Sequence, residues 1–151
     1  MNTEPSAPLA YNCVIFIHDY NFPVPFTVRP VKLDLGFVVD SSDNVNWSKM
    51  QSFVISLVES FDIAEDRVRV GFVSFSDRAV LSFSFIDSQR DTFTRDSTTQ
   101  QIRRITQLGG NQRRVDLALN TAYRDLFSNR DVTRRDARKV ILKLCTFIVN
   151  M

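Results

Sequence analysis

From residue 32 onward, short runs of strand-like residues alternate with longer stretches of helical periodicity. Residues 33–39 (LDLGFVV) are β-rich and nearly all apolar, which is typical of a strand buried on both faces. The next stretch predicts a helix of about four turns, with apolar residues at Trp47, Met50, Val54, Leu57, Val58 and Phe61. The alternation predicts an α/β fold: a Rossmann-like open, mostly parallel sheet with helices on both faces.

A hairpin is predicted in the middle of the chain. Residues 68–75 (VRVGFVSF) form a second apolar run, and residues 76–78 are short enough to turn directly into residues 79–85. There Leu81 and its apolar neighbours alternate with serines, so one face of this strand is expected to be wet and the strand to lie at a sheet edge.

Three further elements are predicted after the hairpin. Thr98 and Gln101 have the spacing of a capping box at the start of a helix, and Gly109-Gly110 is expected to end that helix. Residues 115–127 carry an apolar stripe typical of another helix, and residues 139–149 (KVILKLCTFIV) read as a further buried strand.

The prolines divide the chain in two. All of them fall within the first thirty residues, at Pro5, Pro8, Pro23, Pro25 and Pro30. We therefore expect an irregular leader over residues 1–31 and one domain over residues 32–151. Within the leader, residues 14–17 either form a short strand or pack on the domain, but prolines exclude the leader from the sheet interior.

Charge and motifs exclude several classes of function. A net charge of +2 provides no strong field for nucleic acid or a membrane. The arginine-dense stretches at residues 103–114 and 130–138 are interrupted by acids and are expected to be solvated. His18, the one histidine, lies in the leader, and no phosphate-binding glycine motif occurs. We predict that the protein is not an enzyme.

Some features leave alternatives open. Cys13 and Cys145 are too few for a disulfide scaffold, although one bridge remains an option, and Cys145 lies in an apolar run where it can pack as a small hydrophobe. Asn46-Trp47-Ser48 satisfies the glycosylation sequon, but Trp47 also begins an apolar helical stripe.

Several segments together resemble the von Willebrand factor type A domain of animal extracellular-matrix and adhesion proteins. They are residues 34–42 (DLGFVVDSS), 46–47 (NW), 61–63 (FDI), 69–76 (RVGFVSFS), 108–110 (LGG), 114–119 (RVDLAL) and 139–142 (KVIL). The combination is specific although each segment alone is weak. Compared with that family, residues 32–151 are expected to be a partial domain that lacks the last strands and helices.

The resemblance implies a metal-ion-dependent adhesion site after the first strand of the domain. Asp40 and Ser42 match the first two ligand positions, Asn44 replaces a serine, and Arg113 occupies the position of a threonine. The family's later aspartate falls near Thr146, where no acid occurs. A single sure carboxylate offers little charge to a Mg²⁺ ion, so we expect a degenerate site without a cofactor, closed by an ion pair between Arg113 and Asp40.

The resemblance also implies a function. We expect a module that binds another protein in cell adhesion or the extracellular matrix, without metal, nucleic acid or membrane. An extracellular location follows from the resemblance, although no signal-peptide pattern is visible. An intracellular interaction module and a metal-dependent enzyme on a Rossmann-like sheet are the alternatives. An incomplete domain would leave the strand at residues 139–149 as an open sheet edge, which invites self-association.

Overall fold

A computed structural model describes residues 11–18, 31–86 and 93–146. The elements in chain order are β1 (Tyr11–His18), β2 (Leu33–Asp40), α1 (Trp47–Glu59), β3 (Val68–Phe75), β4 (Ala79–Phe83), α2 (Arg95–Arg104), α3 (Val115–Thr121), a π-helical segment (Ala122–Phe127) and β5 (Arg138–Thr146). Within the described residues, no helix is long and apolar enough to cross a bilayer.

The five strands form one sheet in the order β1-β5-β2-β3-β4. Strand β2 pairs in parallel with β3 on one side and with β5 on the other. Strands β1 and β4 flank this parallel core and are both antiparallel to their neighbours. The predicted open, mostly parallel sheet is therefore confirmed, and the hairpin of β3 and β4 lies at an edge as expected.

Helices cover both faces of the sheet. Alternate residues of β2 point to opposite sides: Phe37 packs in a core with α1 and α2, whereas Val38 packs in a second core with α3 and the π-helical segment. This division follows from the two-residue period of a strand, and it explains why the central strands are apolar without alternation.

Two glycines open a recess in the sheet beneath the π-helical segment. Gly36 of β2 and Gly71 of β3 are register partners. A Cβ atom at Gly36 would lie 2.9 Å from the ring of Phe127, and one at Gly71 would lie 2.7 Å from Cδ2 of Leu126. Ser128 donates its backbone N–H to the carbonyl of Tyr123 at 2.8 Å, the i→i+5 bond of a π-helix. The wider turn accompanies the packing of both Leu126 and Phe127 on the glycines.

The leader contains more regular structure than the prolines indicated. The short strand that the sequence allowed at residues 14–17 is present and longer than expected, because β1 runs over Tyr11–His18 and pairs residue by residue with β5. The leader is therefore not irregular throughout. The remaining leader residues up to 30 lie outside the described part of the chain. No proline falls within Tyr11–His18 of the sequence, and β1 is an edge strand, so its pairing does not conflict with the exclusion of proline from the sheet interior.

The same pairing corrects the expected sheet edge. Strand β5 lies between β1 and β2, so its backbone groups have strand partners on both sides and it is not the open edge that was predicted. Cys145 near its end is a free, buried thiol in the core beside α3, as expected of a small hydrophobe. The side chain of Cys13 and residues 147–149 of the predicted strand are outside the described part.

Helix α2 begins earlier than the sequence indicated. Its N-cap is Thr94, whose hydroxyl accepts the N–H of Ser97 at 3.1 Å. In turn, Oγ of Ser97 accepts the N–H of Thr94 at 3.2 Å. The predicted capping box at Thr98 was therefore wrong: Thr98 is already buried within the helix. The helix also ends at Arg104, so Gly109-Gly110 does not terminate it.

A buried ion pair clamps the amino end of the central strand. Asp34 is fully buried and lies 2.8 Å from the guanidinium of Arg134, which also donates to the carbonyls of Leu33, Glu65 and Arg67. Arg134 was expected to be solvated, and that was wrong. Because the carboxylate of Asp34 lies in an apolar strand, it needs a cation and hydrogen bonds to offset its lost hydration.

The glycine recess predicts that Gly71→Ala destabilises the domain by roughly 1–3 kcal/mol, since the added methyl group overpacks the site against Leu126. The free energy of unfolding, measured by urea denaturation, checks this. In the Gly71→Ala background, Leu126→Ala should cost less than in the wild type, because it removes the clashing methyl groups. Strictly additive costs would contradict the packing.

Candidate site at the carboxyl edge of the sheet

The candidate site lies where β2 and β3 end, and three loops meet there. They are residues 41–46 after β2, residues 76–78 after β3, and residues 105–114 before α3. Backbone hydrogen bonds join them: Gly109 donates to the carbonyl of Ser41 at 3.0 Å, and Arg114 donates to that of Ser76 at 2.9 Å. This is the edge at which open α/β sheets place their ligand sites.

Asp40 is the centre of the site. It is the last residue of β2, and its side chain is fully buried. One carboxylate oxygen, Oδ1, accepts the backbone N–H of Ser42 at 3.0 Å. The other oxygen, Oδ2, lies 3.1 Å from Nε of Arg113, whose side chain is 31% exposed. The ion pair expected between Arg113 and Asp40 is therefore present in the structure.

The ion pair is close in distance but is not a directed hydrogen bond. Oδ2 of Asp40 has no hydrogen-bond partner among the described residues, so Arg113 acts on it mainly through charge. Two hydroxyls at this edge, Oγ of Ser42 and Oγ of Ser76, are likewise buried without a described partner. Asn44, the third expected ligand position, is instead exposed in the turn after Ser42.

Two further carboxylates hold the loop that carries Arg113. Asp43 accepts the backbone N–H of Gly110 at 3.0 Å, and Asp77 accepts that of Gln112 at 2.7 Å. Gly109 and Gly110 have φ values of 70° and 91°, which favour glycine. A Cβ atom on Gly110 would also lie 2.4 Å from the Asp77 carboxylate. The sequence pattern singled out both glycines, but the prediction placed them at the end of a helix.

Polar side chains from the loops also reinforce the β2 end. Gln107 donates to the carbonyls of Ser42 and Val45 at 2.8 and 3.1 Å. Leu108 donates its backbone N–H to Oγ of Ser41 at 2.8 Å. Sequence reasoning missed Gln107 and Ser41, because both act through backbone groups that only the folded loops bring near.

Burial raises the pKa of the Cys145 thiol on β5, so this thiol stays protonated at neutral pH.

The charges around Asp40 bear on whether this site could hold a divalent cation. Asp40 supplies one buried negative charge, and Ser42 and Ser76 supply neutral hydroxyls. The guanidinium of Arg113 already lies against the carboxylate, so it cancels the charge that would offset the dehydration of Mg²⁺. In the described part of the chain, no three His, Cys, Asp or Glu side chains lie together in a group that could hold a metal ion. The buried charge of Asp40 is balanced within the structure by Arg113.

The ion pair predicts that Arg113→Met destabilises the domain by roughly 2 kcal/mol, below the usual cost for a broken buried pair because Arg113 is partly exposed. Arg114→Met is the matched control: Arg114 pairs with Asp116 at the surface, so its loss should change stability little. Asp40→Asn should restore part of the stability of Arg113→Met. Thermal and urea unfolding check this, and equal effects of the two arginine substitutions would contradict it.

Comparison with known proteins agrees with this geometry. The family model for the von Willebrand factor type A domain matches residues 34–145. A mouse collagen alpha-6(VI) chain is 34% identical over 89 residues, which are 56% of this chain and 4% of that protein. Chicken integrin alpha-1 is 29% identical over 116 residues, which are 74% of this chain and 38% of that protein. The chain thus spans less than half the length of these relatives.

A solved structure supports the fold. Proximal thread matrix protein 1 from the mussel byssus, with a zinc-occupied MIDAS motif, superposes with a TM-score of 0.59 at 21% identity, covering 82% of this chain and 29% of that one. At this identity the likeness concerns the fold alone. The family match extends from β2 to β5 and includes Asp40 at the end of β2 and the loop that carries Arg113. This chain belongs to the von Willebrand factor type A domain family.

Proposed function

We propose that this domain is a protein-binding module of the cell-adhesion or extracellular-matrix type, that it acts outside the cell, and that its binding needs no metal ion. The observation that carries the metal independence is the contact of Arg113 with the buried carboxylate of Asp40. The relatives support the class of function, since they include a collagen chain and an integrin chain.

Charge supports the proposed metal independence. A divalent ion at Asp40 would have to displace the guanidinium or share the pocket with it, and two cations at one carboxylate repel each other strongly in a buried site. The neighbouring carboxylates of Asp43 and Asp77 accept backbone N–H groups of the loop, so recruiting either would cost loop hydrogen bonds. These contacts support binding without a metal ion.

The rim of the site is the surface that we propose for contact with a protein partner. All three loops carry exposed side chains, among them Asn44, Arg78 and Gln112. The loops beneath them are cross-linked by backbone and side-chain hydrogen bonds, so the rim is pre-organised and a partner would not need to order it. We propose binding rather than catalysis at this edge, with no cofactor.

Metal independence predicts that Mg²⁺, Mn²⁺ and a chelator leave the melting temperature of the wild type unchanged. A site of micromolar affinity at millimolar metal would add about 4 kcal/mol of stability, which is readily measured. Arg113→Thr should gain a metal-dependent shift, because it removes the internal cation, and Asp40→Ala added to it should abolish that shift. Because Arg113→Thr also places a threonine two residues after Asn111, the proteins are made in bacteria to avoid glycosylation. A metal-dependent shift of the wild type would overturn the proposal.

Protein binding itself is tested with immobilised purified collagens and fibronectin as probes. We expect saturable binding to at least one of them that persists in chelator, and loss of about tenfold or more in affinity when Gln112→Arg adds bulk and charge at the rim. Ser56→Arg, on the exposed face of α1, is the matched control and should bind normally. Binding that disappears with chelator would contradict metal independence, and binding that is indifferent to Gln112→Arg would place the contact elsewhere.

A further inference from the structure

Asn46 carries a feature that the proposed binding function does not use. Asn46-Trp47-Ser48 is the one Asn-x-Ser/Thr tripeptide in the whole sequence. Such a tripeptide is an acceptor for N-linked glycans only where the asparagine is accessible in a surface segment. Asn46 and Ser48 are both exposed at the start of α1, so the structure meets this condition.

The amide of Asn46 has two ends with separate roles. Its Oδ1 accepts the backbone N–H of Lys49 at 3.1 Å and so caps α1. Its Nδ2, the atom to which an N-linked glycan attaches, makes no hydrogen bond within the described part of the chain. A glycan on Nδ2 therefore leaves the capping oxygen in place, and modification and helix capping are compatible.

The middle residue of the tripeptide packs against the protein. Trp47 donates its ring N–H to the carbonyl of Ile105 at 3.1 Å and packs partly buried against the core beside α1. The large side chain is thus held against the protein between the two exposed positions. The tripeptide can therefore be part of the apolar stripe and a glycosylation sequon at once, because Trp47 packs against the core while Asn46 and Ser48 are exposed.

We propose that Asn46 is N-glycosylated when this chain enters the secretory pathway, an inference that rests on the proposed extracellular location. In the reaction, Nδ2 attacks the anomeric carbon of a lipid-linked oligosaccharide and loses one proton. The carbon–oxygen bond to the lipid diphosphate breaks, the N-glycosidic bond forms, and the lipid diphosphate leaves. No oxidant or reductant is needed.

The modification would define which side of the candidate site is open. Asn46 ends the loop that begins with Ser41, so the sugar would stand at the α1 side of the carboxyl edge, next to exposed Asn44. The opposite side, formed by Asp77 and Gln112, carries no acceptor. A protein partner would then approach the rim from the β3 side, away from α1.

The test fuses the whole chain to a cleavable secretion signal and expresses it in cultured mammalian cells, so that entry into the pathway does not depend on the native location. We expect a gel-mobility shift of one glycan that peptide N-glycosidase removes, with the resulting deamidation at position 46 seen by mass spectrometry. Ser48→Thr should keep the glycan. Ser48→Ala and Asn46→Asp should lose it, and because an acid also caps helices well, Asn46→Asp should melt near the wild type.

An internal control separates poor acceptance from failed entry. Asp131→Thr creates a second acceptor tripeptide at Asn129, in an exposed loop far along the chain. A glycan at Asn129 with none at Asn46 would overturn the proposal, as would a secreted wild type without any glycan. Neither result would bear on protein binding, because the binding measurements use unglycosylated bacterial protein.

Discussion

The central strand β2 has a buried carboxylate at each end, and the structure around it is organised to neutralise both. Asp34 and Asp40 are fully buried, and each faces an arginine from a distant part of the chain. Because an unpaired buried charge is costly, loss of either arginine is expected to destabilise the domain. The two pairs therefore tie the loops before α3 and before β5 to opposite ends of the same strand.

The two pairs differ in completeness. Arg134 is nearly buried and donates hydrogen bonds to Asp34 and to three backbone carbonyls, so the charge at the amino end of the strand is balanced and hydrogen-bonded. Arg113 is partly exposed and approaches Asp40 without a directed hydrogen bond, and the hydroxyls of Ser42 and Ser76 have no hydrogen-bond partner among the described residues. The charge at the carboxyl end is thus balanced, but its hydrogen-bonding groups are not all paired within the described part of the chain.

The proposed metal independence would change what regulates the domain. A metal-loaded site couples folding and binding to the concentration of the ion, whereas an arginine is always present and always charged. The glycine-containing loop, fastened by Asp43 and Asp77, holds Arg113 near the carboxylate and also shapes the rim. A single set of loop contacts would then serve both stability and the proposed binding surface.

The sequence by itself determined the alternation of strands and helices, the edge hairpin, and the family, because hydrophobic periodicity and short motifs are local properties of the chain. It also placed Arg113 opposite Asp40, through the resemblance of its motif positions. The tertiary structure alone decided which of the clustered arginines neutralises Asp34, since Arg134 reaches it across 100 residues and its neighbours are equally charged. Strand β1 beside β5 and the π-helical packing on Gly36 and Gly71 likewise depended on contacts between distant segments, which local patterns do not encode.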